Sequence, residues 1–163
     1  MDKVLKGINF PSYIFASLTA GYIMMGVDLM LDGFMGLFGT YRYYIELIKL
    51  WGIFRGMEDW IMATGHMLNS VLLALLFVHP KIYSSLPSNS GLIKGLLFGV
   101  LWHIVVLVFL VVTAFGGAKF MKEFLNMPLR DHISLLLLHL IWAGATGFLY
   151  NPPEELKAPQ SRS

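Results

Sequence analysis

A chain of 163 residues that is 56% hydrophobic and 13% charged, with a mean hydropathy of +0.66, lies outside the usual range of soluble domains, which carry roughly a quarter charged residues. Its net charge of +2 comes from lysines and arginines scattered along the chain, so no basic cluster suggests nucleic acid as a partner. With no cysteine there is no disulfide, no thiolate metal site, no iron–sulfur cluster and no thiol catalysis.

Asp2, Lys3 and Lys6 precede the first long apolar stretch. Tyr13 to Leu31 is too long for the apolar core of a signal peptide, and Asp28 interrupts it, so the stretch reads as a retained first span at about 13–32. Ala16 and Ala20, like Ser17 and Gly21, stand four apart, a spacing that lets helix backbones approach closely in lipid. From Asp32 to Met57 the chain stays aromatic but gains Arg42, Glu46, Lys49 and Arg55, among glycines at 33, 36, 39, 52 and 56. Tyr41, Tyr43, Tyr44 and Trp51 are of the amphipathic type that settles at headgroup level, which predicts a helix lying in the interface from about Tyr41 to Phe54.

A second span is predicted at 59–78, ending before His79-Pro80, and Ser84 to Gly91 reads as a loop rich in serine and proline. The third span, 95–117, is the firmest: between Lys94 and Lys119 no side chain is charged, and a helix needs only ~20 apolar residues to cross a hydrocarbon core. Gly116-Gly117 closes it. Lys119 to Arg130 predicts a short interfacial helix ended by Pro128, and a fourth span follows at 131–150. Asn151-Pro152-Pro153 stops that span, leaving 151–163 as a polar tail without a fold of its own. The expected fold is therefore all-α: a polytopic membrane protein, residues 1–150 forming one four-transmembrane-helix bundle with an interfacial amphipathic helix between helices 1 and 2.

Four spans put both termini on one side. Lys3, Lys6, Lys81, Lys94, Lys157 and Arg162 fall on that side, and Arg42, Lys49, Arg55, Lys119, Lys122 and Arg130 on the other, so the positive-inside rule does not choose. The expectation of a bacterial inner membrane with cytoplasmic termini rests on the short tails alone.

Polar groups inside the spans are the candidates for function, because such groups are costly in lipid and turn towards a partner, the bundle interior or a water-filled path. They are Asp28 in the first span, His66 in the second, His103 in the third and His139 in the fourth. If the helices pack in sequence order, all four converge. His66 and His139, at matching depth, could supply both axial ligands of a b-type haem, with Gly65, Gly144 and Gly147 allowing a flat macrocycle to approach. Asp28, His66, His103 and His139 could alternatively hold a metal ion or relay protons. The plain reading is that each histidine bonds a neighbouring helix. Asn69 shares the face of His66, and His132 lies at the membrane edge. No serine–histidine–acid or paired-carboxylate arrangement can be placed, so an enzyme is not the expectation. The run Leu138-His139-Leu140-Ile141-Trp142-Ala143-Gly144 resembles a helix in several four-span bacterial membrane proteins. That likeness covers one helix and implies no function.

The expected function is a small non-catalytic integral-membrane subunit of a larger respiratory, redox or transport complex, acting in assembly or stabilisation, with the lipid bilayer and larger membrane subunits as partners. The alternatives are a b-type haem and quinone-linked electron carrier, or a metal- or proton-handling membrane protein.

Overall fold

The computed structural model describes residues 7–36, 40–52 and 54–157, and the start of the chain and the end of the predicted tail lie outside these. Among the described residues the chain is helical, without strands. Helix α1 (Phe10–Leu29) runs on through a π-helical turn (Met30–Phe34), and α2 (Thr40–Trp51) and α3 (Glu58–Val78) follow. After these come α4 (Pro80–Ser85), α5 (Gly91–Phe115), α6 (Lys119–Leu125), α7 (Leu129–Leu149) and the single turn α8 (Glu154–Lys157). Four of them, α1 with its π turn, α3, α5 and α7, are long and apolar enough to cross a membrane. Their outer faces carry Phe15, Tyr22, Leu101, Phe109, Val112 and Phe115, all exposed.

The ends of the helices follow local chemistry. Asn9 caps α1 by accepting from the Ser12 backbone N–H at 3.4 Å, and Pro11 stands in the first turn, where its missing N–H costs nothing. Gly117, at φ +94°, ends α5 with paired bonds from Gly117 N to the Ala114 carbonyl and from Ala118 N to the Thr113 carbonyl, a Schellman arrangement. The loop expected at Ser84 to Gly91 is shorter than that, because Pro80 starts a new helix that takes in Ser84 and Ser85. The helix after Lys119 stops at Leu125, and Pro128 caps α7 instead of ending α6, so α7 begins two residues before the predicted 131.

The four long helices do not pack in sequence order. α1 lies against both α3 and α7, α7 lies against both α1 and α5, and α3 barely meets α7. The α5–α7 seam decides this arrangement. Gly91, Gly95 and Gly99 form a stripe at four-residue spacing that meets Gly147, Ala143 and His139 of the antiparallel helix. A methyl group built on Gly91 or Gly95 would overlap the carbonyl oxygen of Gly147 or Ala143, so glycine is what permits the backbones to touch. On α1, Ala16, Ser17 and Ala20 are fully buried, and Gly21 packs against Ser70 and Met67 of α3. Near the chain ends Tyr13, Phe77, Tyr83, Phe98, Trp142 and Tyr150 close an aromatic core, and at the opposite end Leu110, Phe124, Met127 and Leu135 form a smaller one.

Candidate functional site

Because α3 and α7 are held apart by α1, a gap remains between them, and α2 lies across it. Polar contacts fasten α2 to the long helices. Thr40 Oγ1 donates to Asp28 Oδ1 at 2.6 Å, Arg42 Nε pairs with Asp32 Oδ1 at 3.1 Å, and the Tyr41 hydroxyl donates to Asp59 Oδ1 in the first turn of α3. Asp28 and Asp32 are one turn apart, so both face α2. Gly52 at φ +70° and Gly56 at φ +78° turn the chain after α2. Burial and the bond to Asp59 push the Tyr41 hydroxyl up to about 12.

Under α2 is a cavity of about 350 Å³, within the size range of small-molecule sites. Tyr44, Leu47, Ile48 and Trp51, at helical spacing, form its roof. α1 contributes Met24 and Asp28, α3 contributes Met62, Gly65, His66, Asn69 and Ser70, and α7 contributes Leu135, Leu138, His139 and Trp142. The floor is rigid: the Trp142 indole N–H donates to Ser70 Oγ at 2.7 Å, and Ser70 Oγ donates to the Ser17 carbonyl at 2.7 Å, joining three helices in one buried chain. Tyr44, Trp51, Gly65 and Asn69 are exposed and mark the mouth between α2 and α3. Among the described residues the lining contains no lysine or arginine.

The four predicted polar residues are thus only partly gathered. Asp28, His66 and His139 line one cavity, while His103 reaches it only through His139, with Nδ1 to Nδ1 at 3.1 Å. This replaces the four-way convergence expected from packing in sequence order, because α5 packs chiefly against α7. Such a Nδ1 contact needs one ring to donate and the other to accept. His66 Nε2 is buried and has no hydrogen-bond partner among the described residues. No group of three or more histidine or acidic side chains stands close enough to hold one metal ion, again among the described residues. For a haem on His66 and His139, Gly65 does line the cavity, but Gly144 and Gly147 do not: they face Leu96, Gly91 and Gly95 of α5 and are taken up by helix packing. His132 Nε2 donates to the Leu125 carbonyl at 3.0 Å and so ties α6 to α7.

Two features of the site have a signal in the sequence, although the use of the α2 face as a cavity roof does not follow from that signal. The Gly91–Gly95–Gly99 stripe was legible as two successive small-xxx-small steps. The roof residues Tyr44, Leu47, Ile48 and Trp51 were legible as one apolar face of a helix otherwise carrying Arg42, Glu46 and Lys49.

No protein-family model, curated protein sequence or solved structure matches the chain.

Proposed function

We propose that the protein spans the membrane four times, with α2 in the interface, and binds a small apolar molecule carrying a polar head in the cavity beneath α2. The role is one of binding, not of catalysis. The observation that supports this reading is the cavity itself: an apolar chamber with Asp28, His66, Asn69 and His139 set into its wall and a mouth between α2 and α3. Apolar lining with a few placed polar groups is the ordinary composition of a ligand site. Exposed aromatic and aliphatic side chains on every long helix fit a lipid surround, and a bacterial plasma membrane is the setting we assign.

The test uses Gly65, which lines the cavity at its mouth and where an added side chain meets nothing within 4 Å. The full chain is purified in detergent, extracted with solvent, and the extract analysed by mass spectrometry. An apolar molecule present in near-stoichiometric amount with the parent protein and missing from Gly65→Phe is the expected result. Equal extracts from the two proteins would end this reading.

A second reading, a non-catalytic subunit of a larger membrane complex, is favoured by Asn69. This amide is exposed at the cavity mouth, at the middle of α3, and a helix of another protein seated over that mouth would supply it a hydrogen bond. On that reading Asn69→Leu releases the protein from its complex on native gels while leaving Gly65→Phe assembled.

A further inference from the structure

We infer that the cavity takes a quinone-type ring with an apolar tail, and takes it in both its oxidised and reduced forms. The inference rests on the cavity being a ligand site, and it goes further by naming the head group. Three observations carry it.

The first is charge. Among the described residues the lining includes one carboxyl, Asp28, and no lysine or arginine, so a fatty acid or phospholipid head finds no counter-ion among them. The second is shape. Tyr44, Trp51 and Trp142 bound the chamber with aromatic surface, which suits a flat ring, and the mouth lets a tail pass out between α2 and α3.

The third is the pattern of donors and acceptors. A quinone offers two carbonyl acceptors, whereas its hydroquinone offers two hydroxyl donors, so a site that holds both must reverse its own hydrogen bonding. The His103–His139 pair can do this while both rings stay neutral. When His103 Nδ1–H donates across the 3.1 Å contact, His139 carries its proton on Nε2 and can donate to a carbonyl. When His139 Nδ1–H donates instead, its Nε2 becomes an acceptor for a hydroxyl. His66, with Nε2 unpartnered among the described residues, adopts either tautomer freely on the facing helix. His103 is here a positioning residue: it touches no ligand and sets what His139 offers.

The experiment places the full chain in lipid nanodiscs and follows quenching of tryptophan fluorescence by a decyl-substituted benzoquinone in air and by its hydroquinone under anaerobic reducing conditions. Both forms are expected to bind saturably with affinities within about tenfold of each other, and Gly65→Phe should abolish both. His66→Phe and His139→Phe should each weaken binding by about tenfold, the scale of one hydrogen bond. His103→Glu, which when ionised can only accept, should then hold the His139 proton on Nδ1 and shift preference towards the hydroquinone by about tenfold. If that variant does not fold, the two phenylalanine variants still decide. Quinone binding that survives Gly65→Phe, or ignores both phenylalanine variants, overturns the inference. If dodecanol or tetraphenylphosphonium binds in a Gly65-dependent way and neither ring form does, the inference fails and the cavity keeps its assignment as a ligand site. If no probe binds saturably, both fail.

Discussion

At Gly95 the lack of a side chain decides whether two helices can meet, because any Cβ there runs into the Ala143 backbone, which has no rotamer to change. Gly95→Ala should therefore cost about 1–3 kcal/mol, the usual scale of overpacking, and lower the thermal midpoint of the detergent-solubilised protein. Gly65→Ala should do the reverse: open space surrounds its Cβ, and removing a helix-interior glycine gains up to ~1 kcal/mol. The two substitutions are chemically identical, so a difference of sign between them reports on packing alone. Tyr41 gives a pH dependence. Its folded-state value of about 12 lies above the ordinary 10.0, so its bond to Asp59 contributes fully below about pH 10 and is lost as the pH rises through 12. In the folded protein, Tyr41→Phe should lower the tyrosinate absorbance that develops near pH 12 by the amplitude of one tyrosine.

At the scale of the element, α2 is the part held by polar contacts at its start and apolar ones along its face. Thr40 is buried and bonded to Asp28, whereas the Arg42 side chain is 72% exposed in its pair with Asp32. Solvent reaches this pair from the arginine side, although the Asp32 side chain is 5% exposed, and screens it in part, whereas the hydrogen bond from Thr40 to the Asp28 carboxyl is wholly buried. Thr40→Val should therefore loosen α2 more than Arg42→Gln does. Hydrogen exchange of the α2 amides should rise in the first variant while α5 and α7 keep their protection, since the bond that is lost joins α2 to α1.

For the whole molecule, the absence of cysteine makes single introduced thiols clean reporters of topology. Asn89→Cys lies in the turn between α4 and α5, and Lys122→Cys lies on α6, at opposite ends of α5. In sealed vesicles an impermeant maleimide should label one of the two from outside and the other only after permeabilisation. The protein should also stay with the membrane pellet in alkaline carbonate. Labelling of both sites from one side would contradict four spans.

What the sequence determined by itself is one-dimensional. Lengths, apolar runs, the caps at Asn9 and Gly117 and the amphipathic face of α2 depend on neighbours within a turn or two, so α2, α3, α5 and α7 come out within a few residues of where the pattern places them. Helix adjacency is different in kind, because any two apolar faces are compatible in composition. Only the fit of backbone against backbone, through Gly91, Gly95 and Gly99 on one side and Gly147 and Ala143 on the other, places α5 beside α7 and leaves α3 across a gap. That choice separated the histidines. His103 and His139 share the α5–α7 seam as continuations of its small-residue stripe, and His66 faces the chamber that the same packing leaves open, a distinction that depth counting along each helix has no means to make.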